Sequence, residues 1–483
     1  MGFFAQGKLK RIAVSGGPAQ TLTDAIGGCG ATWNQAGLIL FVPSQYDSVY
    51  SVPATGGSPS RVTSVDRAKG DSGHRSPSFL PDGHHFIYGI VSDNPDGDGI
   101  SVATIDSPVA TQLVRAYPGA AYVRTAAGDY LLFMRQGALL AQPFDTGRLT
   151  LTGEPIPVTA DRLSPARFET PFSVSDSGMI AYRSGSAIPR NQLAWVDRTG
   201  NPVGSVAGSA AYEHVEISPE GKRAAVDRLD EARRIDIWLI DLTTGTPTRF
   251  TFDPGQYDVA RWSPDGSRLV FPRVGNRKGI YQKLSSGADA EQQVLSSIHN
   301  GLVVSDDWSS DGRFMVFFNA PPGQASALWL LPLFGDRKAA ALPGTDQRGA
   351  NGRFSPDNKW LAYESYESGS GRAEVFVRAL PVSGARWQIS REGGMKPRWR
   401  RDGKELYFVA SDGGLMAAPI ATGETFQAGS PARLFTMRFA SRLTAQYPYD
   451  VSADGQRFLI ISPADAETIS VTVLLNWTGR PAK

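Results

Sequence analysis

The chain has 483 residues and a single cysteine, Cys29, so no internal disulfide framework can staple it. Histidine is almost as scarce. Only His74, His84, His85, His214 and His299 occur, and no Cys/His spacing suits zinc. Long hydrophobic runs are missing: no stretch reaches the ~18 apolar residues a spanning helix needs, so no direct membrane insertion is expected. The opening Met1-Gly2-Phe3-Phe4-Ala5-Gln6 has no basic region followed by an apolar run, which excludes a secretory signal there. Gln6 stands where myristoylation requires Ser or Thr. An excess of one charge is also lacking. Lys+Arg 49 against Asp+Glu 47 gives +2, which argues against nucleic acid or a polybasic membrane surface as partner.

Turn formers are abundant, with Gly 52 and Pro 33. They fall into a repeat. A strand-turn-strand unit recurs about every 45 residues around a Ser-Pro-Asp-Gly turn. Full or near copies stand at Leu80-Pro81-Asp82-Gly83, Ser218-Pro219-Glu220-Gly221, Ser263-Pro264-Asp265-Gly266, Ser309-Ser310-Asp311-Gly312, Ser355-Pro356-Asp357-Asn358, Arg400-Arg401-Asp402-Gly403 and Ser452-Ala453-Asp454-Gly455. Weaker ones stand at Gln35-Ala36-Gly37, Ala127-Gly128 and Ser175-Asp176-Ser177-Gly178. Apolar strands flank each turn, such as Arg268-Leu269-Val270-Phe271 and Trp360-Leu361-Ala362-Tyr363. A polar loop, another apolar strand and a short last strand complete roughly four strands per unit. That is one blade of a β-propeller. Strands apolar on both faces fit blades sandwiched between neighbours. The aromatics before the turns, Trp262, Trp308, Phe354 and Trp399, are expected in the gaps between blades.

A longer period lies above the blade. Leu139-Leu140-Ala141-Gln142-Pro143-Phe144 echoes Leu415-Met416-Ala417-Ala418-Pro419-Ile420 at an offset of 276, and Phe172-Ser173-Val174-Ser175 echoes Tyr449-Asp450-Val451-Ser452 at 277. The expected fold is therefore all-β: tandem β-propellers of four-stranded blades. Residues 201–483 should form a complete six-bladed ring, and residues 1–200 an incomplete ring of about five blades. The first copy is short at its front by roughly 70 residues, which places Met1 inside a blade. An unclosed ring exposes strand edges, so the first propeller should be open or less stable than the second.

These blades resemble the TolB-like propeller family. Longer phrases narrow the likeness: Gly2-Phe3-Phe4-Ala5-Gln6-Gly7-Lys8-Leu9-Lys10-Arg11-Ile12, Phe79-Leu80-Pro81-Asp82-Gly83-His84-His85-Phe86, Pro397-Arg398-Trp399-Arg400-Arg401-Asp402-Gly403-Lys404-Glu405-Leu406 and Val473-Leu474-Leu475-Asn476-Trp477-Thr478. They are similar to the C-terminal propeller region of bacterial serine/threonine protein kinases. The resemblance implies a kinase domain in a parent polypeptide and a periplasmic or extracytoplasmic setting if a membrane kinase tethers the chain, and otherwise a cytoplasmic one. No kinase motif is present in the chain itself.

Four local features bear on chemistry. Asn94, Asp96 and Asp98, with Gly99 following, place oxygen ligands at alternate residues like the start of a calcium loop. The twelfth place holds Ile105 instead of a bidentate Glu, so the cage is incomplete, and a polar hairpin loop is the competing reading. No other cofactor is expected. Gly70-Asp71-Ser72-Gly73-His74 has the form of a serine-protease loop, but it falls in an inter-blade connection with no second triad member placeable. The histidines read as turn and surface residues. Arg398, Trp399, Arg400 and Arg401 form the densest basic-aromatic cluster. On a rim it would grip an acidic partner; otherwise it is one gap-filling tryptophan with solvated arginines.

The expected function is a non-catalytic binding or sensor scaffold for a protein, peptide or small ligand held by loops on rigid blades. The alternative is a propeller enzyme or a peptidase-associated propeller, a hydrolase or lyase with a site in the channel. Such a site needs converging acidic or histidine residues, which the sequence does not place.

Overall fold

The computed structural model describes residues 1–483 except 6, 26, 45–46, 93–96, 108, 164–169, 176, 185–189, 231–233, 253–255, 258, 275–277, 300, 322–325, 346–348, 367–371, 382–383, 423–424, 438–446, 465–469, 476 and 478–483. The fold is all-β, built from antiparallel sheets. The described residues contain no α-helix, and no helix is long and apolar enough to cross a membrane.

The turn residues explain the repeat. In Ser263-Pro264-Asp265-Gly266 the Ser263 hydroxyl donates to Asp265 Oδ1 at 2.6 Å and accepts from Arg268 N at 2.9 Å. Asp265 Oδ1 also accepts Ser267 N at 3.0 Å. Gly266 sits at φ +69°, a left-handed conformation that a Cβ disfavours. Pro at the second place presets φ for the turn. The same Ser–Asp bond forms at Ser309–Asp311, Ser355–Asp357 and Ser452–Asp454. Asn358 takes the glycine position at φ 57°, tolerable because its short amide suits that region.

The chain divides into two compact units, Met1–Ile188 with Glu467–Lys483, and Pro189–Ala466. The division differs from the sequence-based boundary at 200/201 for a topological reason. Strand Asn191–Asp197 pairs with Arg457–Pro463, and Pro202–Ala210 pairs with Asn191–Asp197, so a cut at 200 would split one sheet. Strand Ser470–Leu474 pairs instead with Ile180–Ser184 of the first unit.

Among its described residues the second unit shows six sheets of blade form. Five are consecutive in sequence. The sixth joins the two ends: Tyr449–Val451 and Arg457–Pro463 from the C-terminal side bond to Asn191–Asp197 and Pro202–Ala210 from the N-terminal side. This pairing closes the unit on itself and leaves only the short edges of each sheet. Apolar clusters fill the gaps between successive sheets. Trp262, Phe354 and Trp399 are buried in those gaps as their position before the turn implies, and Trp308 is half-buried in one. Each large apolar side chain so buried contributes about 1.5–3 kcal/mol.

Among its described residues the first unit shows five sheets. Buried clusters join the first to the second, the second to the third, the third to the fourth and the fourth to the fifth. Among the described residues no such cluster joins the fifth to the first. The fifth sheet has three strands: Phe172–Val174, Ile180–Ser184 and Ser470–Leu474.

Candidate functional site

The innermost strand of each sheet in the second unit carries one residue two places before the turn. Going round the unit, these are Glu216, Arg261, Asp307, Arg353, Arg398 and Asp450. Three acids and three arginines balance. The pleat turns every second side chain of a strand to one face, and the matched register of the repeats brings this set together.

Glu216 is the hub. Its Oε2 accepts Arg261 Nη1 at 2.7 Å, Arg353 Nη2 at 3.2 Å and Arg398 Nη1 at 3.2 Å. Arg261 Nε donates to the Asp306 carbonyl at 2.6 Å, and its Nη1 lies 2.8 Å from His214 Nε2. Arg353 Nη1 donates to Asp307 Oδ1 at 3.3 Å, and Arg398 Nε lies 3.5 Å from Asp450 Oδ1. Tyr447 packs against all three guanidiniums, whose carbons stand 4.9, 4.5 and 4.4 Å from its ring centre. Its hydroxyl accepts Arg353 Nε at 3.3 Å and donates to the Asn351 carbonyl at 3.2 Å. Arg261, Glu216, Arg353, Arg398, His214 and Tyr447 are all buried.

Burial and pairing compete at each group. Burial alone would raise the Glu216 carboxyl, but the three arginines overrule it and hold it well below the usual carboxylate range. His214 is pushed far down by burial and then by Arg261, so it is neutral, with Nε2 as the acceptor. Burial pushes Asp306 up to about 7 against the pull of Arg261 and the Gly352 amide. Asp450 is raised by burial, with Arg398 opposing. Buried charges of this kind persist because they are paired; loss of one partner strands the others.

The same acids fasten the blades. Trp262 N donates to Glu216 Oε1 at 3.3 Å, Phe354 N to Asp307 Oδ2 at 2.8 Å and Ile217 N to Asp450 Oδ2 at 2.7 Å. Each bond runs to the inner strand of the next sheet. In the first unit Thr32 at the matching place accepts Phe79 N at 3.2 Å, so a hydroxyl does there what carboxylates do in the second unit. Four places before the turn, Ser76, Val259, Asn351 and Lys396 all take positive φ, at 46°, 49°, 54° and 58°. For branched Val259 this is strained. Carboxylates of the preceding sheets anchor two of these residues: Asp227 accepts Val259 N at 2.8 Å and Glu364 accepts Lys396 N at 3.0 Å.

The structure separates the basic-aromatic cluster. Arg398 points into the central network, and Trp399 fills a gap between sheets. Arg400 is held by Asp402 at 2.6 Å and by Glu405 at 2.8 Å, which raise its pKa. Arg401 is exposed and donates to the Pro219 carbonyl at 3.0 Å, one of the contacts that gather the turns at one end of the unit. Asn94 and Asp96 lie outside the described residues; Asp98 Oδ1 accepts Ser92 N at 2.9 Å. His84, His85 and His299 lie at or near the surface, but His74 and His214 are buried, contrary to the surface reading. Both serve the interior, His74 through a 2.8 Å bond to Thr63 Oγ1 and His214 through Arg261. The protease-like segment lies on strand Asp71–Phe79, not in a connection, and the Ser72 hydroxyl donates to the Val91 carbonyl at 3.2 Å.

No family model matches the chain. It is 25% identical over 260 residues to an uncharacterised protein of Agrobacterium fabrum, across 51% of this chain and 85% of that protein. Among solved structures it is similar to a candidate TolB from Agrobacterium tumefaciens, with TM-score 0.48 and 16% identity over 58% of this chain and all of the other (100%). It is also similar to TolB from Acinetobacter baumannii, with TM-score 0.39 and 18% identity over 66% of this chain and 82% of that one. An oligogalacturonate lyase from Vibrio parahaemolyticus matches with TM-score 0.34 and 12% identity over 59% and 87%.

Proposed function

We propose that the chain is a non-catalytic binding platform whose ligand, a protein, peptide or small molecule, is held by exposed loops at one end of a propeller. One observation carries this reading: the ionisable side chains gathered at the centre of the second unit are spent on one another and on backbone amides. Glu216 is bound by three arginines, and Asp307 and Asp450 each hold an arginine and an amide. A catalytic acid or base must reach a substrate proton, and these groups are engaged, Glu216 and Asp450 buried and Asp307 half-buried. What such a network provides is a stiff frame on which loops are displayed.

The finer reading is signal input to a serine/threonine kinase system, in which the propellers act as the sensor portion. It is supported by phrases that resemble those of kinase-associated propellers, among them Pro397-Arg398-Trp399-Arg400-Arg401-Asp402-Gly403. An in-frame coding sequence for kinase motifs found upstream of Met1 would support it, and an immediate stop codon would remove it.

The platform reading is tested by thermal unfolding against peptide and small-molecule panels. A ligand that stabilises the folded state without being altered is the expected result, because binding to the native state alone raises the unfolding temperature. Turnover of the ligand, abolished by Asp306→Asn, would establish the enzyme reading instead.

A further inference from the structure

The fifth sheet of the first unit has one covered face and one bare face. Ile180, Tyr182 and the half-buried Leu474 pack into the cluster shared with the fourth sheet. On the opposite face Val471 is 68% exposed, Val473 49% and Leu475 65%, with Met179 beside them at 40%. Alternation along strand Ser470–Leu474 puts these valines on one side. Four large apolar side chains in one exposed group mark an interaction surface, since scattered single ones are the norm.

The chain itself shows what covers such a face. Ser175 N bonds to the Met179 carbonyl and Ser452 N to the Arg457 carbonyl, which aligns the strands that follow the two turns. Ala181 then matches Leu459, and Arg183 matches Ile461. The pairing registers carry the match to the next strand. Val473 faces Ala181 as Trp195 faces Leu459, and Val471 faces Arg183 as Leu193 faces Ile461. In the second unit Leu193, Leu459 and Ile461 are buried against Val215, Ala224 and Val226 of the next blade, and Trp195 packs at its side. The first unit leaves the same positions open.

We propose that this face docks a further blade: a four-stranded antiparallel sheet, apolar on the side it presents, supplied by polypeptide outside residues 1–483. The proposal concerns the first unit and stands apart from any ligand bound by loops. The exposed valines take the place of Leu193 and Trp195, and the incoming sheet takes the place of strands Tyr212–Ile217 and Arg223–Leu229.

The test adds a blade and watches Val473. A Cys29→Ala, Val473→Cys chain is alkylated with a maleimide, alone and with a copy of residues 211–251 fused ahead of Met1 by a flexible linker. Sedimentation gives the mass of each. The unfused chain should be a monomer alkylated at the rate of an exposed thiol. The fusion should react about tenfold more slowly, equivalent to about 1.4 kcal/mol of protection, and Val471→Lys in the fusion should restore fast reaction. Equal rates with and without the added blade overturn the proposal. So does a slow rate in the unfused chain together with a dimer mass, which would assign the face to a second copy.

Discussion

Glu216 and Arg261 lie on the inner strands of successive sheets, 45 residues apart, and meet at 2.7 Å with both side chains buried. Arg353 and Arg398 converge on the same carboxylate oxygen from sheets further round the unit. One carboxylate thus bonds three guanidiniums, whose remaining charge Asp307 and Asp450 offset, and ties together four of the six sheets seen among the described residues. Glu216→Ala should leave three buried cations without their common partner. Breaking a buried ion pair costs about 3–5 kcal/mol, and here the loss is shared by three. Chemical denaturation should show the second unit destabilised by at least that amount. A change under about 1 kcal/mol, the range of a surface pair, would show that the network adds no net stability.

Asp306 gives the protein a pH dependence of definite sign. Its folded pKa is raised to about 7 from 3.8, so between those values the folded state holds a proton that the unfolded state has released. Stability therefore falls as pH rises from about 4 to about 7. At ~1.4 kcal/mol per unit the full effect reaches about 4 kcal/mol. Asp306→Asn keeps the acceptor for Gly352 N and removes the titration. Its unfolding free energy should lose this fall between about pH 4 and about pH 7 while the wild type keeps it. Parallel pH profiles for the two proteins would refute the assignment.

The blades were legible because the turn writes itself into the sequence. Ser263, Asp265 and Gly266 each have a local task, and local tasks recur at fixed spacing. The aromatics Trp262, Phe354 and Trp399 were legible for a similar reason, since a large ring just before the turn has only the gap between sheets to fill. The central network was not read from the sequence. Its signal was present at a fixed place two residues before each turn, but Glu216, Asp307 and Asp450 look like solvated strand charges until the ring closure is known. Tyr447 falls outside the repeat register altogether. His214 misled for the same reason: scarcity and polarity suggested surface, whereas a buried arginine supplies its partner. The division near 189 was not read from the sequence because strand exchange between the two ends of a closed sheet leaves no mark in the turn pattern.

Tyr447 separates packing from hydrogen bonding. Its ring fills the space among the three guanidiniums, and its hydroxyl bridges Arg353 and the Asn351 carbonyl. Tyr447→Phe keeps the ring and should cost about 1–3 kcal/mol, the range for leaving a buried partner unsatisfied. Tyr447→Ala opens a cavity beside charged groups and should cost about 3–5 kcal/mol or more. Denaturation of the two variants should therefore give a clear order. If Phe proves as damaging as Ala, the hydroxyl bridge rather than the ring holds the centre together.

Two glycines distinguish backbone strain from steric collision. Gly221 and Gly245 have almost the same dihedral, φ 73° and 72°. A Cβ added at Gly221 meets nothing within 4 Å, whereas one at Gly245 would stand 2.1 Å from the Val206 carbonyl oxygen. Gly221→Ala should therefore cost only the left-handed conformation, about 1–2 kcal/mol. Gly245→Ala carries that cost and must also displace strand Pro202–Ala210, because the obstructing atom is backbone and cannot rotate away. That strand belongs to the sheet that closes the second unit. Its displacement should loosen the closure itself, visible as faster amide exchange along Asn191–Asp197 in Gly245→Ala but not in Gly221→Ala. Equal destabilisation of the two variants with unchanged exchange would mean that the closing strand adapts freely and that the ring is held by its central network alone.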